Sequence, residues 1–139
     1  MIVLDASVAI DWLFDWRPAF ARSDINLALA DVQVIVPSHW PLEICNTLRP
    51  DLRNQKISIA DFHAIMERLD LLDIRVEPPT DLDEIGPLSQ FSVTHDLTAY
   101  DAAYVQLALQ RQATLATFDR AMRAAATRLN IPLLPAASP

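Results

Sequence analysis

The chain has 139 residues, 52% of them hydrophobic and 7% aromatic, with 11 basic against 18 acidic residues for a net charge of -7. That length fits one domain, 1–139, able to hold a core without staples, and a single cysteine, Cys45, excludes an internal disulfide and a cysteine zinc cluster. The acidity gives nucleic-acid binding no support, because phosphate contacts call for Lys and Arg, and no uncharged apolar run reaches the ~18 residues of a membrane span.

Ile2-Val3-Leu4 is apolar without alternation, which predicts a strand buried on both faces of a parallel sheet. No basic stretch precedes it, so no secretory signal is expected and the chain is expected to be cytoplasmic. Helices are predicted over Ser7–Phe14 and Pro18–Ala30, with a second strand at residues 33–36 stopped by Pro37. From Pro41 to Leu52 the pattern is helical, with Leu42, Cys45 and Leu48 as its expected core stripe and Ile44 widening it. Pro41 belongs in the first turn, where its missing N–H costs nothing. Ser58–Leu72 is the clearest helix, and Ile74–Glu77 a strand ended by two prolines. Residues 80–95 are ambiguous because Gly86-Pro87 interrupts any long helix. Thr98–Arg111 is helical, with Tyr100, Ala103, Tyr104 and Leu107 expected inward. Then follow a strand at Thr114–Thr117, a helix at Arg120–Leu129, a left-handed cap at Asn130 and a last strand at Ile131–Leu134. Strands alternating with helices imply an α/β fold with a mostly parallel sheet of four or five strands.

Three acidic residues occupy equivalent places. Asp5 and Asp119 each follow an apolar strand and open a helix, and Asp101 lies in the first turn of another helix. Parallel sheets bind ligands beyond the carboxyl ends of their strands. If strands 2–4 and 114–117 are neighbours, these carboxylates converge, and Glu43, one turn into its helix, completes a ring. Two carboxylates ~4 Å apart repel by about 4 kcal/mol at an effective dielectric near 20. A cation relieves that repulsion, and oxygen-only ligands select Mg²⁺ or Mn²⁺. Such an ion activates water and steadies charge on a phosphoryl oxygen, which is phosphodiesterase chemistry. Local structure offers a plainer account of each acid. Asp5 and Asp119 fit as helix N-caps, Thr98-Ala-Tyr-Asp101 fits a capping box, and Glu43 fits as a solvated helix residue. With the four acids set aside, 14 acidic residues remain against 11 basic ones, ten of them Arg. RNA is therefore not excluded.

Four segments, in order, carry a resemblance over nearly the whole chain: Val3-Leu4-Asp5-Ala6-Ser7, Pro41-Leu42-Glu43-Ile44-Cys45-Asn46-Thr47-Leu48, Leu97-Thr98-Ala99-Tyr100-Asp101-Ala102-Ala103-Tyr104 and Leu115-Ala116-Thr117-Phe118-Asp119. Together they resemble PIN-domain proteins, specifically the VapC-like toxins of bacterial toxin–antitoxin pairs. The resemblance implies a three-layer PIN-like fold and a Mg²⁺- or Mn²⁺-dependent endoribonuclease acting on structured RNA. It also implies a homodimer restrained by a cognate VapB-like antitoxin. By position it assigns Asp5, Glu43, Asp101 and Asp119 as the acidic quartet, with Asp5 and Asp101 as direct metal ligands. Ser7, Asn46 and Thr117 follow as their polar supports. Family members often carry glycine before the third helix and before the fourth motif, where this chain has Gln55-Lys56 and Gln112.

The remaining chemistry is sparse. His39, His63 and His95 lack zinc spacing and are expected at surfaces or helix ends. Trp12, Trp16 and Trp40 are expected in the core or at dimer contacts rather than stacked on bases. Arg49, Arg53 and Lys56 fall at near-helical spacing, fit either for phosphate or for a solvated helix end. Two further readings stand beside the toxin: a free-standing RNA-processing nuclease, and a non-catalytic interaction module with a vestigial acidic pocket.

Overall fold

The computed structural model describes residues 1–14, 29–30 and 32–136. Among these, five strands alternate with six α-helices: β1 (Ile2–Leu4), α1 (Ala6–Leu13), β2 (Val34–Val36), α2 (Trp40–Arg53), α3 (Ile59–Asp70), β3 (Ile74–Val76), α4 (Ile85–His95), α5 (Ala99–Arg111), β4 (Thr114–Ala116), α6 (Arg120–Arg128) and β5 (Leu133–Leu134). Trp16 and most of the helix expected over Pro18–Ala30 lie outside the described residues. No helix among the described residues is long and apolar enough to cross a membrane.

The sheet is parallel throughout, in the order β3-β2-β1-β4-β5. Every residue of β1 and β2 is buried, as their unbroken apolar runs require of strands covered on both faces. Edge strand β3 is largely exposed. Helices α2 and α3 both pack on α1, while α5 lies over β1 and β4 and packs on α4 and α6. The chain leaves β1 toward β2 and β3 and later returns to β1's other side with β4. The order therefore reverses between β1 and β4, and the crevice beyond their carboxyl ends is the place an open parallel sheet offers a ligand.

Several local expectations change. Gly86-Pro87 does not break a helix. A 3₁₀ turn at Leu82–Glu84 precedes α4, so Pro87 falls in the helix's first turn, where no N–H is missed. On α2 the buried stripe is Trp40, Ile44 and Leu48. Leu42 is 67% exposed and Cys45 is exposed, so the expected core stripe of Leu42, Cys45 and Leu48 is rotated about the helix. The helix takes its bearing from Trp40, which a one-dimensional pattern started at Pro41 does not count. Tyr100 is likewise outward, at 65% exposure, while Tyr104 is fully buried. The glycine-like places keep their backbone without glycine: Gln55 and Gln112 take positive φ of 55° and 51°, and Asn130 caps at 56°. A left-handed conformation in a non-glycine residue costs about 1–2 kcal/mol, which the surrounding fold offsets. Trp12 and Trp40 are core residues, as expected.

Candidate active site

Asp5 follows β1 directly and is 6% exposed. Its backbone N–H donates to the Ala116 carbonyl at 2.9 Å, joining the end of β1 to the end of β4. As the residue before α1 it occupies an N-cap position, yet its side chain makes no cap hydrogen bond. Instead Oδ2 accepts from Ser7 Oγ at 2.5 Å and from Thr117 Oγ1 at 2.8 Å. Ser7 Oγ also accepts from Phe118 N at 3.2 Å, and Thr117 Oγ1 from Asp119 N at 3.0 Å. The two hydroxyls thus tie Asp5 to the segment after β4. Burial raises the Asp5 pKa, and these hydrogen bonds pull against it.

Asp119 differs from Asp5 despite its matching position. Its Oδ1 accepts from Met122 N at 2.8 Å, so it caps α6, and it is exposed. Only its backbone N–H joins the Asp5 network, through Thr117.

Glu43 and Asp101 approach from the helices. Glu43, half-buried in the first turn of α2, accepts a hydrogen bond from the Tyr104 hydroxyl. Its pKa is raised by burial first and then by the charges of Asp5 and Asp101, against the lowering effect of Tyr104. The Tyr104 phenol is pushed up in turn by burial and by Glu43. Asp101 Oδ2 accepts from Thr98 Oγ1 at 2.7 Å, and Asp101 N donates back to that oxygen at 3.1 Å. The fold therefore brings Asp5, Glu43 and Asp101 into electrostatic contact and keeps Asp119 at the rim. Of the expected polar supports, Ser7 and Thr117 both hydrogen-bond Asp5, whereas Asn46 is exposed on α2 and bonds none of the acids among the described residues.

Three residues belong to this arrangement that sequence reasoning did not assign to the acidic group. Tyr104 lies three residues after Asp101 on α5, and His39 four before Glu43, spacings that put each pair on one helix face. The His39 ring sits edge-on between Tyr100 and Tyr104, at 5.3 Å from each, with Nε2 3.9 Å from Glu43 Oε2. His39 is thus at a helix end, as expected, but faces the acids. Burial lowers its pKa, partly offset by Asp101. Arg123, 7% exposed, donates to the carbonyls of Thr117 and Pro135, each at 2.9 Å, and so fastens the Thr117 segment to the chain after β5.

Among the described residues, no three His, Cys, Asp or Glu side chains form a ready cage for a metal ion. The donor set nonetheless fits a hard divalent cation. It is all oxygen, two of its carboxylates are held above their ordinary pKa values by burial, and no Lys or Arg among the described residues pairs with them. Mg²⁺ is commonly held by one or two carboxylates with water completing its shell, so a closed cage is not required.

A parallel sheet with carboxylates gathered at its switch point defines a class of α/β protein that works through acidic side chains beyond the strand ends. A sequence description of the PIN domain matches residues 2–128. The chain belongs to the PIN domain family, a nuclease fold. No curated protein sequence matches it. Among solved structures, PAE2754 from Pyrobaculum aerophilum superposes with a TM-score of 0.66 at 22% identity, covering 89% of this chain and 84% of that one. FitAcB from Neisseria gonorrhoeae superposes with a TM-score of 0.58 at 18% identity, covering 96% of each chain. At these identities the likeness establishes the fold.

Proposed function

We propose that the chain is a Mg²⁺- or Mn²⁺-dependent endoribonuclease that cleaves structured RNA and serves as the toxin of a type II toxin–antitoxin pair. The observation that carries the nuclease reading is the group of Asp5, Glu43 and Asp101, with burial raising the Asp5 and Glu43 pKa values, at the β1/β4 switch point of a PIN domain. Asp5 and Asp101 would hold the ion, with Asp119 contributing from the rim. A bound ion supplies an activated water and neutralises charge on the scissile phosphoryl group. Tyr104 orients Glu43 to take a proton from water. Ser7 and Thr117 fix Asp5 so that it meets the ion without rearranging. Products carry a 5′-phosphate and a 3′-hydroxyl. Cleavage is expected to stop in excess chelator and in Asp5→Asn or Asp101→Asn, and to return to the wild type with Mn²⁺. Cleavage that persists under either condition would falsify the assignment.

A surface feature favours a toxin over a free-standing processing enzyme. Between α2 and α3 runs an open apolar groove of about 690 Å³, floored by Trp40, Ile44, Leu48 and Phe62 and edged by Arg49 and Arg53. In a chain of net charge -7, a basic rim around an apolar trough suits an amphipathic helix with acidic flanks. The antitoxin's inhibitory segment is such an occupant, and its seat lies on the helix that carries Glu43. A second copy docked there isologously would set arginine against arginine. A gene immediately upstream for a small DNA-binding protein with an acidic amphipathic segment is expected. Arg49→Glu with Arg53→Glu should weaken that complex at least tenfold. The active unit is a cytoplasmic homodimer, which sedimentation of the purified chain tests.

A further inference from the structure

We propose that Arg123 is a positioning residue for the Asp5 carboxylate, acting through Thr117 and anchored on the chain after β5. This role rests on the nuclease reading, in which Asp5 holds the ion, and adds to it a residue outside the acidic group. Arg123 lies on α6, one turn past Asp119, and is 7% exposed. A buried guanidinium is costly unless its donors are matched. No carboxylate among the described residues pairs with it, and its partners are backbone carbonyls. Nη1 donates to Thr117 O at 2.9 Å, and Nη2 donates to Pro135 O at 2.9 Å and to Ala136 O at 3.5 Å. Reaching two chain segments at once suits the planar fork of arginine and not the point charge of lysine.

The way the sheet ends explains those partners. Between the parallel strands β4 and β5, Leu115 N donates to Pro132 O at 2.8 Å and Thr117 N to Leu134 O at 3.0 Å. The next rung of a parallel ladder would carry the Ala136 amide to Thr117 O. That rung is not made among the described residues, and Arg123 supplies the donor in its place. Both backbone polar groups of Thr117 are thereby held. Its hydroxyl reaches Asp5 Oδ2 at 2.8 Å and accepts from Asp119 N at 3.0 Å. A β-branched side chain is stiff about χ1, so the aim of that hydroxyl follows the backbone that Arg123 fixes. With the carbonyl released, the peptide turns and the hydroxyl leaves Asp5, which then keeps Ser7 as its hydroxyl partner. A brace that served the sheet alone would lower the melting temperature on removal and leave the carboxylate's aim unchanged.

Three variants test this in the full chain. Arg123→Met keeps the length and loses the donors, Arg123→Lys keeps the charge and loses the fork, and Ile65→Val loosens the core on α3, away from the acids. In the metal-free protein, amide exchange at Asp119 is expected to quicken at least tenfold in both Arg123 variants, beyond any change in Ile65→Val, because that amide donates to the Thr117 hydroxyl. Calorimetry with Mn²⁺ is expected to show about tenfold weaker binding in Arg123→Met, the usual cost of a lost supporting partner, and a smaller loss in Arg123→Lys. In Arg123→Met/Thr117→Val, binding is expected to be no weaker than in Thr117→Val alone, since both changes break one relay. At saturating Mn²⁺, kcat should fall with KM for RNA unchanged. Losses that add in full overturn the relay through Thr117. A lowered melting temperature with Mn²⁺ affinity and Asp119 exchange as in Ile65→Val makes Arg123 a brace of the sheet and overturns its positioning role. Should Arg123→Met fail to fold, Arg123→Lys carries the same comparisons. A wild type that binds no Mn²⁺ and cuts no RNA overturns the nuclease reading instead, and the Asp119 amide still decides whether Arg123 sets the Thr117 hydroxyl.

Discussion

Two helices of this protein begin with the same local motif, a hydroxyl residue followed three positions later by aspartate, and put it to different uses. At α3, Asp61 Oδ2 accepts from both the N–H and the hydroxyl of Ser58, at 2.9 and 2.7 Å, while Ser58 Oγ accepts from Asp61 N at 3.1 Å. The box is closed, exposed and self-contained, and its hydrogen bonds hold the Asp61 carboxyl below the ordinary range. At α5, Thr98 caps Asp101 N, but Asp101 takes only the threonine hydroxyl in return. Its charge is felt instead by Glu43 and His39. The motif makes a helix start in both places. Only the neighbours supplied by the fold make one of them part of an acidic site.

The largest expected effect separates the two aspartates by activity. Asp101→Asn should lower RNA cleavage by about three orders of magnitude, several kcal/mol of transition-state stabilisation. Asp61→Asn should leave cleavage as it was and lower the melting temperature instead. Equal losses of activity from both would erase the distinction drawn here. Next comes the open network around Asp5. Thr117→Val removes a donor from a buried carboxylate and should cost about 1–3 kcal/mol in denaturant unfolding. It should also move the acid limb of the activity profile to higher pH, because that hydrogen bond opposes burial's rise in the Asp5 pKa.

Smaller effects sharpen the contrast between local and tertiary roles. Ser58→Ala should cost about 1 kcal/mol of stability, the value of a cap, with no change in kcat. At the far end of α5, Gln112→Gly should stabilise by about 1 kcal/mol, since φ of 51° suits glycine and strains glutamine. The smallest effect is a pH dependence. Burial and the charges of Asp5 and Asp101 hold the folded-state pKa of Glu43 above its unfolded value. Between those two values the folded chain binds more protons than the unfolded one, so stability from this group falls as pH rises, and the full penalty applies above the window. Glu43→Gln should therefore raise the melting temperature of the metal-free protein by a few degrees at neutral pH, with the gain shrinking toward the ordinary carboxylate range. Thermal melts across pH decide it, and a gain that grows in acid would contradict the assigned charge environment.

The amino-acid order alone determined the alternation of strands and helices, the unbroken burial of Ile2–Leu4 and the positions of the acids at strand ends and helix starts, because those depend on patterns read within a few residues. It also carried the family, through four motifs in sequence. The tertiary structure decided what is relational. Asp5 abandons its cap for Ser7 and Thr117, the latter 112 residues away, whereas Asp119 keeps its own cap. Tyr104 meets Glu43 from a separate helix, and the bearing of α2 sends Cys45 and Leu42 outward while Trp40 turns in. Local patterns specify backbone shape, but the cost of burying a charge depends on which distant groups surround it, and only the folded chain fixes that company.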